Sequence, residues 1–285
     1  MGESGKLPGM TAQDREATRE YYDRFGDSEW SRLGADVAGR VSLEVHRRFL
    51  ARFVSQGARV LEVGAGPGRF TAELAALGAT VVVTDISQVQ LELNREYVGG
   101  TDAEAAVERR ELLDVCDVSR FSDGEFDLVL AYGGPLSYAF EETAAALRGL
   151  LRITAPDGAV LASVMSMLGT WRYQLRGVVQ VATEFGEDAN DKVLTTGDLR
   201  NLADSAHVCQ MFRAAQLGDL VTASGGRMVA MSASNWASLG DAEALAALEA
   251  DPDRWSRFLD HEVAACAEPG AIDGGTHIVF AVEHS

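Results

Sequence analysis

The stretch Val60-Leu61-Glu62-Val63-Gly64-Ala65-Gly66-Pro67-Gly68-Arg69-Phe70 decides the fold. A β-branched run feeds glycines at every second position, and a helical pattern follows at once. Glycine there permits positive φ and lets a ligand approach the backbone closely. Downstream, strands predicted at 59–63, 80–83, 107–113, 126–131 and 159–165 alternate with helices at 69–77, 89–98 and 141–153, the last followed by a Pro156-Asp157-Gly158 turn. That alternation implies a mostly parallel sheet covered on both faces. Arg109 and Arg110 are unusual in a buried parallel strand, so the third strand is expected to be shorter or nearer the edge.

Residues 170–212 break the rhythm. They carry Trp171, Tyr173, Phe185 and Phe212, an acidic patch near Glu184–Asp191, and no clear period. They read as an insertion over the ligand edge of the sheet. A helix at 214–223, a strand at 228–232, a helical segment at 242–267 interrupted by Pro252, and a strand at 277–282 complete seven strands. Upstream, residues 1–10 read as a tail and 11–53 as helical. Thr11 is a candidate cap, and Val41, Val45, Phe49 and Phe53 recur every four residues. The expected division is a tail and helical lid (1–45), a ligand-binding core (46–169), an insertion or substrate lid (170–212), and the rest of the core sheet (213–285).

The glycine spacing selects among ligands. A dinucleotide fingerprint would place its third glycine where Arg69 stands. A pyrophosphate would also be repelled by Glu62, which suits an ammonium or sulfonium instead. Asp85 ends the second strand, where an acid can accept from both hydroxyls of a ribose. Asp114 ends the third, where a carboxylate can accept from an adenine amino group.

Three acids at successive strand ends beside a G-x-G-x-G loop resemble the class I S-adenosylmethionine-dependent methyltransferases. The likeness runs through Val60–Phe70, Val81–Ser87, Leu112–Val118 and Phe126–Tyr138, with a helix, Pro-Asp-Gly turn and strand over 144–165. The resemblance implies a Rossmann-like sheet of order 3-2-1-4-5-7-6, the last strand antiparallel. It implies S-adenosylmethionine as cofactor. Glu62, Gly64, Ala65 and Gly66 would lie at the methionine and ribose portions, Asp85 at the ribose, and Ile86 and Val115 against the adenine. Asp114 would take the adenine amine, and Ala131 and Tyr132 would lie near the sulfonium. Asp117 is expected to cap a turn. The family's leading helix implies a lid, with Tyr21 and Trp30 its cofactor-facing residues.

Methyl transfer chiefly needs alignment, and a base only where the nucleophile arrives protonated. Tyr132 and Tyr138 flank the loop after the fourth strand and are the catalytic candidates there. His207, in the insertion, is the histidine candidate; His46 and His277 read as packing or structural. Tyr173, Trp171 and Arg213 are candidate substrate contacts, with Trp236 adding apolar surface. The expected reaction is methylation of a small organic acceptor, in secondary metabolism. The alternatives are a cyclisation by intramolecular displacement that releases methylthioadenosine, a nicotinamide oxidoreductase, or a non-catalytic binding partner.

Composition bounds the rest. The chain has 285 residues, 47% hydrophobic and 24% charged, which excludes a disordered chain. Its 43 acids against 25 bases (net charge −18) oppose nucleic-acid binding, which depends on neutralising phosphates. The longest apolar run, 159–169, is too short to span a bilayer, and no signal peptide is evident. A cytoplasmic protein of a GC-rich bacterium is expected, with no membrane partner and an oligomeric state left between monomer and homodimer. Cys116, Cys209 and Cys266 form no CxxC pair, so neither a disulfide framework nor a metal is expected.

Overall fold

The computed structural model describes residues 12–32, 34–202 and 208–285. The tail 1–10, the capping candidate Thr11 and His207 lie outside the described residues. Three helices come first: α1 (Ala12–Phe25), α2 (Ser28–Arg32) and α3 (Val37–Leu50). Asp36 caps α3 by accepting from the Gly39 N–H at 2.7 Å. The helix buries Val41, Val45, Phe49 and Leu50 on one face, but also Ser42 and His46. It ends three residues before the expected Phe53.

The alternating core follows: β1 (Arg59–Val63), α4 (Arg69–Ala76), β2 (Thr80–Asp85), α5 (Gln88–Val98), β3 (Val107–Leu112), β4 (Phe126–Ala131), α6 (Thr143–Ile153) and β5 (Thr154–Met165). Then come α7 (Met167–Tyr173), α8 (Leu175–Phe185), α9 (Glu187–Thr196), α10 (Ala214–Ala223), β6 (Gly226–Ala233), α11 (Ala242–Glu249), α12 (Pro252–Cys266) and β7 (His277–His284). The strands form one seven-stranded sheet of order β3-β2-β1-β4-β5-β7-β6. β7 runs antiparallel to both β5 and β6, and the other pairings are parallel. This is the Rossmann-like arrangement that the motif order implied. The ends of β1, β2, β3 and β4 therefore share one edge, where open α/β sheets bind ligands.

Two differences from expectation are local. β5 begins five residues before Ala159, because Phe126 pairs with Thr154 and Leu128 then pairs with Ala159. The Pro156-Asp157-Gly158 turn is thus a bulge inside the strand. Residues 170–212, read as aperiodic, hold most of α7 and all of α8 and α9. In α8, Leu175, Val178, Val179 and Ala182 do recur at helical spacing, yet none of its residues is buried. β3 is an edge strand, which explains its arginines. Arg110 folds back to Asn94 Oδ1 (2.8 Å) and Glu104. No helix among the described residues is long and apolar enough to cross a membrane.

Candidate active site

The glycine loop is locked to the end of β2. Gly64, Gly66 and Gly68 have φ of 68°, 53° and 98°, a region that favours glycine. A Cβ on Gly64 would lie 2.6 Å from Pro135 Cγ, so the loops after β1 and β4 meet there. The Gly66 N–H donates to Asp85 Oδ2 (2.9 Å), and the Ser87 N–H donates to Asp85 Oδ1 (2.9 Å). Asp85 is 5% exposed, and burial raises its pKa to about 6 against the pull of those N–H donors. Each oxygen keeps a second lone pair for a ligand.

Glu62 lies beneath this loop. Its carboxyl is 2% exposed and accepts from Thr71 Oγ1 at 2.6 Å. Burial raises its pKa to about 8; Thr71 opposes the shift and the Asp85 charge adds to it. Glu62 lines neither of the two cavities above the loop, so it reaches a ligand only through the loop it supports.

Those cavities adjoin, sharing Glu29, Gly64, Gly66, Tyr132 and Gly133. The narrower, about 80 Å³, is walled by Asp85, Ile86, Asp114, Val115, Tyr22 and Tyr138. No lysine or arginine is among its described lining residues. The wider, about 190 Å³, reaches Ser42 and His46 of α3, Ser163 of β5, Asn235, and His277 of β7.

Helix α1 roofs the narrow cavity. Arg15 Nε lies 2.9 Å from Asp114 Oδ2, and Tyr22 donates its hydroxyl to Tyr138 at 2.6 Å. Asp114 Oδ1 also accepts from the Cys116 N–H at 2.8 Å. Asp117 accepts from Ser119, the turn role expected of it. Trp30 stacks on Tyr97 (4.2 Å, 8° between planes) with the Arg69 guanidinium over its ring, and it lines the wide cavity. Tyr21 sits behind Tyr22 in a side hollow with Phe25 and Met165, so Tyr22 rather than Tyr21 faces the narrow cavity.

Tyr132 stands where the cavities meet, its ring edge-on to His46 (4.9 Å) and Phe70 (5.1 Å). Its hydroxyl has no hydrogen-bond partner among the described residues, and burial holds its pKa well above the ordinary tyrosine value. Ala131 is fully buried in β4 and lines neither cavity. Tyr173 reaches the outer end of the wide cavity. Two expected substrate contacts are not brought there. Arg213 donates to the Leu194 carbonyl at 2.8 Å, and Trp171 is 40% exposed on the outer surface.

Sequence reasoning passed over His46 and His277. The available signal was Ser42 and His46, four residues apart on the buried face of α3. His46 Nδ1 lies 2.8 Å from the Ser42 carbonyl oxygen. A carbonyl only accepts, so Nδ1 carries a proton; when the ring holds that proton alone, Nε2 is an acceptor.

Residues 60–158 match the family described as "Methyltransferase domain". A demethylmenaquinone methyltransferase of Clavibacter sepedonicus is 35% identical over 105 residues. The match covers 37% of this chain, and the chain spans 40% of that relative's length. Among solved structures, the Burkholderia thailandensis 1,6-didemethyltoxoflavin-N1-methyltransferase, with bound 1,6-didemethyltoxoflavin and S-adenosylhomocysteine, is 15% identical with a TM-score of 0.55 over 98% of this chain and 93% of that one. The [4+2]-cyclase SpnF is 18% identical with a TM-score of 0.52 over 85% of this chain and 80% of that one. At these identities both show the fold.

Proposed function

We propose that this chain is a class I S-adenosylmethionine-dependent methyltransferase that transfers a methyl group to a small organic acceptor held in the wide cavity. The observation that carries the reading is the narrow cavity's lining: Glu29, Asp85 and Asp114, with no lysine or arginine among the described lining residues and the Arg15 in its roof already engaged by Asp114 and Glu142. A diphosphate would be repelled there, whereas a sulfonium nucleoside fits. The residues also suit the cofactor in detail. Asp85 has the spare lone pairs to hold a ribose diol, Ile86 and Val115 offer apolar contacts to the adenine, and Asp114 accepts from its amine. Gly64 and Gly66 line both cavities, which puts their backbone within reach of the aminobutyrate chain.

When bound, S-adenosylmethionine supplies an activated methyl carbon and its leaving group. The protein's part is alignment, worth up to about 7–11 kcal/mol of a barrier of this kind. Tyr132 shapes the junction between the cofactor and acceptor cavities as a neutral phenol. Tyr138, tied to Tyr22, holds α1 down and excludes water from the narrow cavity. His46 presents Nε2 as the acceptor of a proton from an acceptor hydroxyl or amine, because Ser42 fixes its tautomer.

The test is incubation with methyl-labelled S-adenosylmethionine and a panel of phenols, amines and carboxylic acids. Labelled acceptor with stoichiometric S-adenosylhomocysteine supports the reading. Release of methylthioadenosine would support intramolecular displacement instead. Tight NADH binding without binding of S-adenosylhomocysteine would refute both.

A further inference from the structure

The wide cavity continues past Tyr173. Tyr173 and Leu239 also wall an outer groove whose other side is Trp236, with Arg172 beside it. Exposed aromatics usually swing freely, but Trp236 is held from three sides while remaining 37% exposed. Its backbone N–H donates to Glu262 Oε1 at 2.7 Å. Its ring lies on Gly274, where there is no room for a side chain. Arg172 stands over the ring at 5.4 Å and donates to the Gly274 carbonyl at 2.8 Å.

Glu262 itself is 2% exposed and accepts three further bonds, from the N–H groups of Ala237 and Ser238 (3.0 Å each) and from Ser238 Oγ (2.7 Å). A buried carboxylate so used fixes the 236–238 segment. Across the groove, Tyr173 is set by α7, which presses Gly169 onto the Gly275 carbonyl. Trp236 is thus preorganised at the mouth of the cavity, opposite a tyrosine carried on a fixed helix, and a rigid aromatic binds a flat partner with little further loss of entropy.

We propose that this groove binds the body of the acceptor, and that the acceptor is an elongated amphipathic molecule with a flat apolar portion and a hydrogen-bonding end. The flat portion lies against Trp236 and Tyr173. The polar end reaches Ser163 and His277 inside the cavity, where Ser163 Oγ accepts from the Gly133 N–H and keeps its own O–H to donate. Arg172 at the groove favours neutral or anionic bodies over cations. The proposal rests on the methyl-transfer reading for what happens at the polar end. Glu262 is a positioning residue that acts through Trp236.

Equilibrium dialysis of the full chain with 2-naphthol tests it, with the affinity for S-adenosylhomocysteine measured on the same samples. Naphthol is expected to bind, and decahydro-2-naphthol, which keeps the hydroxyl but loses the flat face, to bind several-fold more weakly. Trp236→Leu and Tyr173→Ala should each weaken naphthol by about tenfold, and Glu262→Gln should weaken it as well. Trp236→Phe should largely restore it, and S-adenosylhomocysteine affinity should stay unchanged throughout. Equal binding by Trp236→Leu, no binding by the native chain, or a dimer that Trp236→Leu dissociates would each overturn the proposal. Loss of S-adenosylhomocysteine binding by the native chain would instead remove the methyltransferase reading, leaving the naphthol result interpretable.

Discussion

Arg15 of α1 bridges Asp114 and Glu142, with Nε 2.9 Å from one carboxylate and Nη2 2.7 Å from the other. The first helix is thereby strapped across the mouth of the nucleoside cavity. Asp23 adds a hydrogen bond from Ser87 Oγ (2.5 Å), and Gln90 Nε2 donates to the Tyr22 carbonyl (3.0 Å). The strap thus closes one side of the cavity that a nucleoside would enter. The Arg15 pair is a third exposed on the arginine side, so its stability contribution is small, about 0–1 kcal/mol. Its kinetic effect should be larger. Arg15→Ala is expected to raise both association and dissociation rates of S-adenosylhomocysteine several-fold in stopped-flow measurements, with little change in melting temperature. An unchanged dissociation rate would mean that α1 does not gate the cavity.

Asp85 carries a double load, closing the glycine loop and facing the ligand. Asp85→Ala removes a charged acceptor, a loss of about 1.5–3 kcal/mol for each hydrogen bond of that kind. Calorimetry should show S-adenosylhomocysteine affinity falling by at least about tenfold. Because the carboxyl is raised to about 6 by burial, affinity should also fall as pH drops through that value and the carboxylate is neutralised. Asp85→Asn should bind weakly at every pH and show no such titration.

Glu62 gives stability an unusual pH dependence. Its folded pKa, raised to about 8 from an ordinary 4.5, means that the folded chain holds a proton the unfolded chain releases. The resulting stabilisation is complete below about pH 4.5 and is lost as pH rises through 8. Asp85 acts in the same direction between its ordinary 3.8 and about 6. The cofactor-free protein should therefore unfold at lower denaturant concentration at pH 8.5 than at pH 6, by on the order of a few kcal/mol. Glu62→Gln, neutral at all pH and still able to accept from Thr71, should flatten most of that slope. A slope unaltered in the variant would assign it to the acidic surface as a whole.

Much of this architecture was legible because it is written in local patterns. Alternating strand and helix periods located the core elements, and glycines at 64, 66 and 68 marked a loop whose positive φ values need them. Acids at strand ends are similarly visible, since a strand's end is where its hydrophobic run stops. The wide cavity was not legible, for the opposite reason. It is assembled from α3, β5, β7 and the 235–239 segment, brought together only by the sheet order β5-β7-β6. His46 and His277 each look ordinary within their own elements. Arg213 and Trp171, conspicuous in sequence, are spent on a Leu194 carbonyl and on open surface. Helix α8 was passed over although Leu175, Val178, Val179, Ala182 and Phe185 recur at helical spacing; the short α9 that follows, rich in acids, carries a weaker pattern.

The tautomer of His46 makes a last, sharper prediction. Ser42 supplies a backbone carbonyl, so no Ser42 side-chain variant removes the lock, and the imidazole itself must be changed. His46→Gln keeps a hydrogen-bonding group on α3 but cannot take a proton, whereas His46→Phe keeps the ring packing against Tyr132 and Phe70 and loses all polarity. With an acceptor bearing a hydroxyl or ammonium group, both variants should lose about 10²-fold or more in kcat, the usual contribution of a positioned base. With an acceptor whose nucleophile carries no proton, such as a tertiary amine, neither should lose more than a few-fold. S-adenosylhomocysteine affinity should be retained in both. Equal loss on the two acceptor types would mean that His46 shapes the cavity and does not move the proton.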